Sequence, residues 1–162
     1  KAFKILQQLG TPCLIHQPKY SMLDRWVEKN NDNINKNLLQ VIDENGVGGI
    51  AFSPLAQGLL SDKYLNGIPS HSRVGRQLPN GAITENSLDK TTLKKVAALN
   101  VIALQRNQTL AQMAIAWLLK DNRITSVLVG ASSSAQLLNS IEAVSNIQFS
   151  NEELAAIENI LQ

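Results

Sequence analysis

Residues 48–64 read GGIAFSPLAQGLLSDKY. Two glycines introduce Ile50-Ala51-Phe52, which with Val47 makes a short apolar run of strand character. Ser53-Pro54 ends it, because proline offers no N–H to a ladder and restricts the residue before it. Leu55, Leu59 and Leu60 then carry the apolar pattern through a turn that holds Gln57, Gly58 and Lys63. A buried strand therefore delivers an aromatic ring, a hydroxyl, a proline and a lysine to one edge.

Working outward, Lys1 to Leu9 reads as a helix with Phe3, Ile5, Leu6 and Leu9 on or near one face, stopped by Gly10. Thr11 to His16 reads as a strand whose apolar run predicts burial on both faces. Residues 17–33 are polar and irregular, anchored by Tyr20, Met22, Leu23 and Trp26. A helix is expected over Ile34 to Glu44, closed by Asn45-Gly46. After the strand Val47 to Phe52, residues 66–89 carry enough Gly, Pro and Ser to form a long loop, a kind that is usually functional or mobile. Thr91 to Arg106 is helical, and Thr109 caps a second helix through LAQMAIAWLLKD. Ser126 to Val129 is the third strand. Ser132-Ser133-Ser134 opens a helix through Val144, and Asn151-Glu152-Glu153 opens the last one.

Strands alternating with helices predict an α/β fold with parallel strands joined by crossovers. The 162 residues suffice for one domain with a real core, yet three strands are few for such a sheet. The chain also opens inside a helix. Residues 1–162 are therefore expected to form a single partial domain, a piece of something larger.

Composition narrows the function. Hydrophobic residues make up 44% and charged residues 17%, which is globular. A net charge of +2 from fifteen basic and thirteen acidic side chains carries no pull toward nucleic acid. The one cysteine, Cys13, excludes an internal disulfide framework and a cysteine-rich metal site, and its place in a strand-like run reads as a buried inert thiol. No apolar run approaches the roughly 18 residues that span a bilayer, and the first ten residues lack signal-peptide character. The expectation is a cytoplasmic protein with no membrane partner.

Four blocks carry a family resemblance: IHQPKYSMLDR (15–25), GVGGIAFSPLAQGLLSDKYLNGIPSHSR (46–73), TLAQMAIAWLLKD (109–121) and SVLVGASSSAQL (126–137). Together, and in this order, they resemble the aldo-keto reductase superfamily, in the bacterial glyceraldehyde-phosphate-reductase-like branch that is also similar to potassium channel beta subunits. The resemblance implies the carboxy-terminal part of a (β/α)₈ barrel, strands six to eight with their helices. The family's catalytic Asp, Tyr, Lys and His belong to the other half, so no residue here, Tyr20, Tyr64, His16 and His71 included, is assigned a catalytic role. What remains is the half that holds NADP(H).

The implied cofactor residues follow from these matches. Phe52 would lie against the nicotinamide face, although alone it reads as a core phenylalanine. Gln17 would hydrogen-bond the carboxamide, and as an isolated residue it is a solvated loop glutamine. Ser53, Pro54, Leu55, Gln57 and Gly58 would wrap the pyrophosphate, with Gly58 permitting close backbone approach. Lys63 and Arg73 match basic positions near the adenosine 2′-phosphate, and His71 lies between them. Gly130, Ser132 and Gln136 stand at the start of the helix after the third strand, where unpaired N–H groups and the dipole favour phosphate; a serine cluster there is equally an N-cap. Asn139 and Ser140 occupy positions where the family usually has Glu-Asn around adenine and ribose; both stay polar, but the charge is lost and one amide is shortened.

In the intact enzyme the implied reaction is reduction of a small-molecule aldehyde or ketone. These residues would supply binding and orientation rather than the proton. A redox-sensing, channel beta-subunit-like binding module and an inactive truncated fragment are the alternatives. Association with the missing amino-terminal half, or self-association, is expected, because a half barrel leaves strand edges and the inward residues Ile15, Ile50, Val127 and Leu128 without partners.

Overall fold

Three parallel strands, β1 (Ile15–His16), β2 (Gly48–Ala51) and β3 (Ile124–Val127), form one sheet in the order β1-β2-β3. A computed structural model describes residues 1–70, 72, 74–76 and 85–162; His71, Arg73 and residues 77–84 lie outside the described residues. Ile15 pairs with Gly48, Gly49 with Ile124 and Ile50 with Ser126, with a register shift between Gly49 and Ile50. Parallel neighbours need crossovers, and helices supply them. Helix α1 (Ala2–Gln8) precedes β1, and α2 (Leu38–Glu44) connects β1 to β2. Helices α3 (Lys90–Gln105) and α4 (Leu110–Leu119) lie between β2 and β3, and α5 (Ser134–Ile141) and α6 (Asn151–Leu161) follow β3.

The glycines that open β2 have a packing reason. A Cβ on Gly49 would sit 2.7 Å from the Arg123 carbonyl oxygen and 3.2 Å from Cδ1 of Ile42, so β3 and α2 both close on bare backbone. Helix α4 is the centre of the core. Leu110, Met113, Ala114, Ile115, Ala116, Trp117 and Leu118 are all buried, so the helix is covered nearly all round. It starts at a capping box in which Thr109 accepts from the Gln112 amide while the Gln112 side chain accepts from Thr109 N–H. Leu39, Ile42, Ala51, Leu60, Leu99, Ile157 and others complete one buried cluster with it. Burying each large aliphatic or methionine side chain contributes about 1.5–3 kcal/mol.

Arg106 ties the helical layer together. Its guanidinium donates to Gln108, Glu153 and the carbonyls of Asn146 and Gln148, and it lies 3.7 Å over the Phe149 ring. The side chain is only 3% exposed, so the end of α3 is joined to the segment leading into α6 by a satisfied buried cation.

The structure corrects several boundaries. The first strand is short and exposed rather than buried on both faces: Leu14, just before it, is 73% accessible and Ile15 56%, and β1 stands at one end of the strand order, paired with β2. Cys13 is partly buried, with its thiol donating to the Ile15 carbonyl. Trp26 is largely exposed instead of anchoring the core; its indole N–H is satisfied by the Lys19 carbonyl at 2.8 Å. Helix α2 begins at Leu38, not Ile34, because Asn37 forms a capping box with Gln40 and residues 31–36 close a tight turn through Asn31 and Lys36. The third strand lies two residues earlier than expected, over Ile124–Val127. Leu128 N–H still donates to the Ala51 carbonyl, and beyond it Val129 and Gly130 leave the sheet. Helix α5 stops at Ile141, and a 3₁₀ segment, Glu142–Asn146, continues from it.

Among the side chains expected to lack facing strands, Ile15 and Leu128 are exposed, while Ile50 and Val127 are partly covered. Leu137, Leu138, Ile141 and Val144 add an exposed apolar row on and just beyond α5.

Candidate functional site

The carboxyl end of β2 is held from both sides. Phe52 N–H donates to the Pro18 carbonyl and Tyr20 N–H donates back to the Phe52 carbonyl, extending the parallel pairing beyond β1. A polar clamp fixes the segment after Pro18. Tyr20 is buried with its hydroxyl on Glu28, and its ring meets Trp117 edge to face at 5.7 Å. Arg25 forks onto Glu28 and reaches Glu158 on α6 at 2.7 Å. Burial, and then the bond to Glu28, push the Tyr20 hydroxyl up. Burial raises the Glu28 carboxyl too, but the bonds from Arg25 and Tyr20 outweigh it and hold Glu28 below its ordinary value.

From this fixed point the chain enters an unusual turn. Ser53, Ala56, Gln57 and Gly58 all have positive φ, at 57°, 46°, 61° and 101°. Three of these are not glycine, and left-handed conformations in ordinary residues persist where the surroundings hold them, often at functional sites. The amides of Ala56 and Gly58 close the turn on the carbonyls of Ser53 and Leu55, so they are satisfied within it. The Gln57 side chain donates to Ser53 Oγ, and the Ser61 hydroxyl donates to the Gly58 carbonyl.

Opposite lies the start of α5. Ser133 is the N-cap, its hydroxyl oxygen accepting from the Gln136 amide. Gln136 Oε1 in turn accepts from the amide and hydroxyl of Ser132. The amides of Ser134 and Ala135 have no intrahelical partner, as the first turn of any helix requires.

Between these two pieces runs a cleft of about 1020 Å³. The loop after β2 contributes Ser53, Pro54, Leu55, Gln57 and Gly58, and the next turn adds Asp62 and Lys63. The segment after β3 contributes Leu128, Val129, Gly130, Ala131 and Ser132; α5 contributes Ala135, Gln136, Asn139 and Ser140. Every residue expected at a cofactor site thus lines this cleft, except three. Gln17 and Phe52 are exposed at the carboxyl ends of β1 and β2, Phe52 next to the cleft residue Ser53 in the chain, and Arg73 lies outside the described residues. Asn139 and Ser140 are engaged by protein groups as well: Asn139 Oδ1 accepts from the Thr109 hydroxyl, and the nearly buried Ser140 hydroxyl donates to the Gln136 carbonyl.

Sequence reasoning missed Asp62, Arg76 and Leu128. Leu128 was hidden by the two-residue error in β3. Arg76 stands three residues after Arg73 in SRVGRQ, a basic repeat inside a loop, which was the available signal. A second cavity of about 620 Å³ lies between Met22, Leu59, Thr91 and Lys95. Several of its polar groups are already engaged, Lys95 with the Leu161 carbonyl, Thr92 with Asp89 and Arg25 with its two glutamates. Among the described residues no cluster of His, Cys, Asp and Glu could hold a metal ion, and no helix is long and apolar enough to cross a membrane.

The chain is 49% and 48% identical, over 159 residues and 98% of its length, to L-glyceraldehyde 3-phosphate reductases from two strains of Escherichia coli. It is 34% identical over 147 residues to a putative voltage-gated potassium channel subunit beta of Schizosaccharomyces pombe, covering 90% of this chain. The chain spans 44% of the length of the two reductases and 41% of the channel subunit. The Aldo/keto reductase family matches residues 1–162, and with a parallel α/β sheet opening into this cleft, the chain belongs to the aldo/keto reductase family.

Proposed function

We propose that the cleft is the NADP(H) site of a reductase acting on a small aldehyde or ketone, and that β1, β2 and β3 are the sixth to eighth strands of its (β/α)₈ barrel. One observation carries this reading: the left-handed turn after β2 and the first turn of α5 face one cleft whose wall also carries Lys63. A bound dinucleotide needs an anion-tolerant cradle, and a helix start with unpaired N–H groups, facing a tight left-handed turn beside a lysine, suits a pyrophosphate. Phe52 would cover one face of the nicotinamide ring and Gln17 would bond its carboxamide. When bound, the cofactor supplies hydride to the carbonyl carbon. These residues hold and orient; the acid that protonates the carbonyl oxygen belongs to the part of the relatives' length that this chain does not span.

The reductase reading is preferred to the channel-subunit reading because similarity to the reductases is higher, 49% against 34%. Titration calorimetry on the protein in its full natural length tests it. NADP⁺ is expected to bind more tightly than NAD⁺ at low salt, with the difference shrinking as salt screens the phosphate. Absence of binding for both dinucleotides would overturn the reading, and equal affinities would overturn the choice of NADP(H).

A further inference from the structure

Asparagine precedes glycine at 45–46, 66–67 and 80–81, and the last of these pairs lies outside the described residues. Where glycine follows asparagine, no Cβ shields the next backbone nitrogen from the side-chain amide carbon. The fold treats the two described pairs differently. Asn45 closes α2, and its Nδ2 donates to the Val41 carbonyl at 2.7 Å. Gly46 N–H donates to the Asp43 carbonyl at 3.0 Å, and Val47 N–H to the Ile42 carbonyl at 2.9 Å. The side-chain amide and the nitrogen that would attack it are thus both tied to the last turn of the helix. Asn66 and Gly67 come just after the 3₁₀ turn Asp62–Tyr64. Both are exposed, and neither has a hydrogen-bond partner among the described residues. Gly67 has φ of 109°, and a Cβ built on it would meet nothing within 4 Å, so no neighbour crowds the pair.

We propose that Asn66 is a self-modification site that converts to aspartate and isoaspartate without an enzyme, while the end of α2 keeps Asn45 intact. The Gly67 nitrogen attacks Cγ of Asn66, and the new C–N bond closes a succinimide ring. The Cγ–Nδ2 bond breaks, and ammonia leaves with the proton that the Gly67 amide gives up. Water then opens the ring. Attack at Cγ restores the backbone and leaves aspartate; attack at the α-carbonyl carbon leaves the chain running through Cγ as isoaspartate. Nothing is oxidised or reduced, and either product carries one new negative charge. Asn66 stands three residues after Lys63, so that carboxylate enters the loop that supplies the cleft with its lysine.

Peptide mapping by mass spectrometry, on the protein in its full natural length aged at mildly alkaline pH, tests this. The mass gain of NH₂ replaced by OH is expected about tenfold faster at Asn66 than at Asn45, because two hydrogen bonds must open before Asn45 reacts. In denaturing urea the two rates should converge, since both pairs then keep only their shared local chemistry. Asn66→Gln, whose longer side chain would have to close a larger ring, should abolish the change in that peptide and leave the rate at Asn45 as it was. Equal rates in the folded protein, or Asn45 reacting first, would overturn the assignment. A difference that survives in urea would overturn it too, by tracing the rates to flanking residues rather than to the fold.

Discussion

Arg25 and Arg106 carry the same charge as Lys63 and Arg76 under opposite circumstances. The first two are buried or half-buried and fully engaged: Arg25 joins Glu28 to Glu158, and Arg106 joins α3 to the approach of α6. The cleft pair are exposed, line a polar wall and have no carboxylate partner among the described residues. Removing a paired cation strands desolvated partners, whereas removing a solvated one strands nothing. Engaged cations hold the chain together, and the solvated pair on the cleft wall is available to a ligand.

Breaking the paired set should have the largest effect. Arg106→Ala leaves Glu153 and the carbonyls of Asn146 and Gln148 without their donor and removes the stack on Phe149. A loss of about 2–4 kcal/mol in urea unfolding is expected, with dinucleotide affinity retained where the protein stays folded. A loss below about 1 kcal/mol would break the contrast at its strongest point.

Glu28→Gln should cost less, about 1–2 kcal/mol, since Arg25 keeps Glu158 and the site is partly solvated. It also sharpens the comparison through pH. Burial raises the carboxyls of Glu28 and Asp121, but Arg25 and Arg123 outweigh it and hold both below their unfolded values. Their contribution is thus fully present above about pH 5, beyond both unfolded values, and is lost as pH falls through the folded values. Acid titration of Glu28→Gln by circular dichroism should show a shallower fall than the unsubstituted protein; an identical curve would count against the clamp.

On the cleft side, Gly58→Ala places a Cβ on a residue with φ of 101° and should cost about 1 kcal/mol while weakening dinucleotide binding more than stability alone explains. Smallest of all, Lys63→Gln should leave the melting temperature unchanged and lower NADP⁺ affinity severalfold. A destabilised Lys63→Gln protein would mean that the cleft cation has a folding role after all.

The order of elements was legible because each had a local cause. Thr109 before an apolar helical stretch, Gly46 after α2, and Pro54 after an apolar run are signals that act within a few residues. The cleft lining was legible because two blocks at successive strand ends carried a recognisable resemblance. What failed was non-local. The apolar run at Leu14 and Ile15 says nothing of whether a second strand lies beside it, and β1 proved to stand at one end of the strand order. The end of β3 depended on where Ala51 stops accepting hydrogen bonds. The basic repeat in SRVGRQ marks Arg76 locally, but its place on the cleft wall depends on Tyr64 and Val74 sharing one buried cluster, between segments with no common local pattern.

The strand order has a consequence for how the molecule folds. The crossover from β2 to β3 is more than twice as long as that from β1 to β2. In equilibrium terms the extra length costs little, about 0.6 kcal/mol per doubling of a flexible loop. In time it matters more, since non-local parallel pairing is slow and is rewarded only after closure. Helices α3 and α4, neighbours in sequence and in contact, can form early, while the β2–β3 ladder must wait for them. The turn after β2 and the first turn of α5 meet only when that ladder closes. Dinucleotide affinity should therefore emerge in the last phase of refolding, later than helical circular dichroism, so that cofactor binding reports completed topology rather than mere collapse.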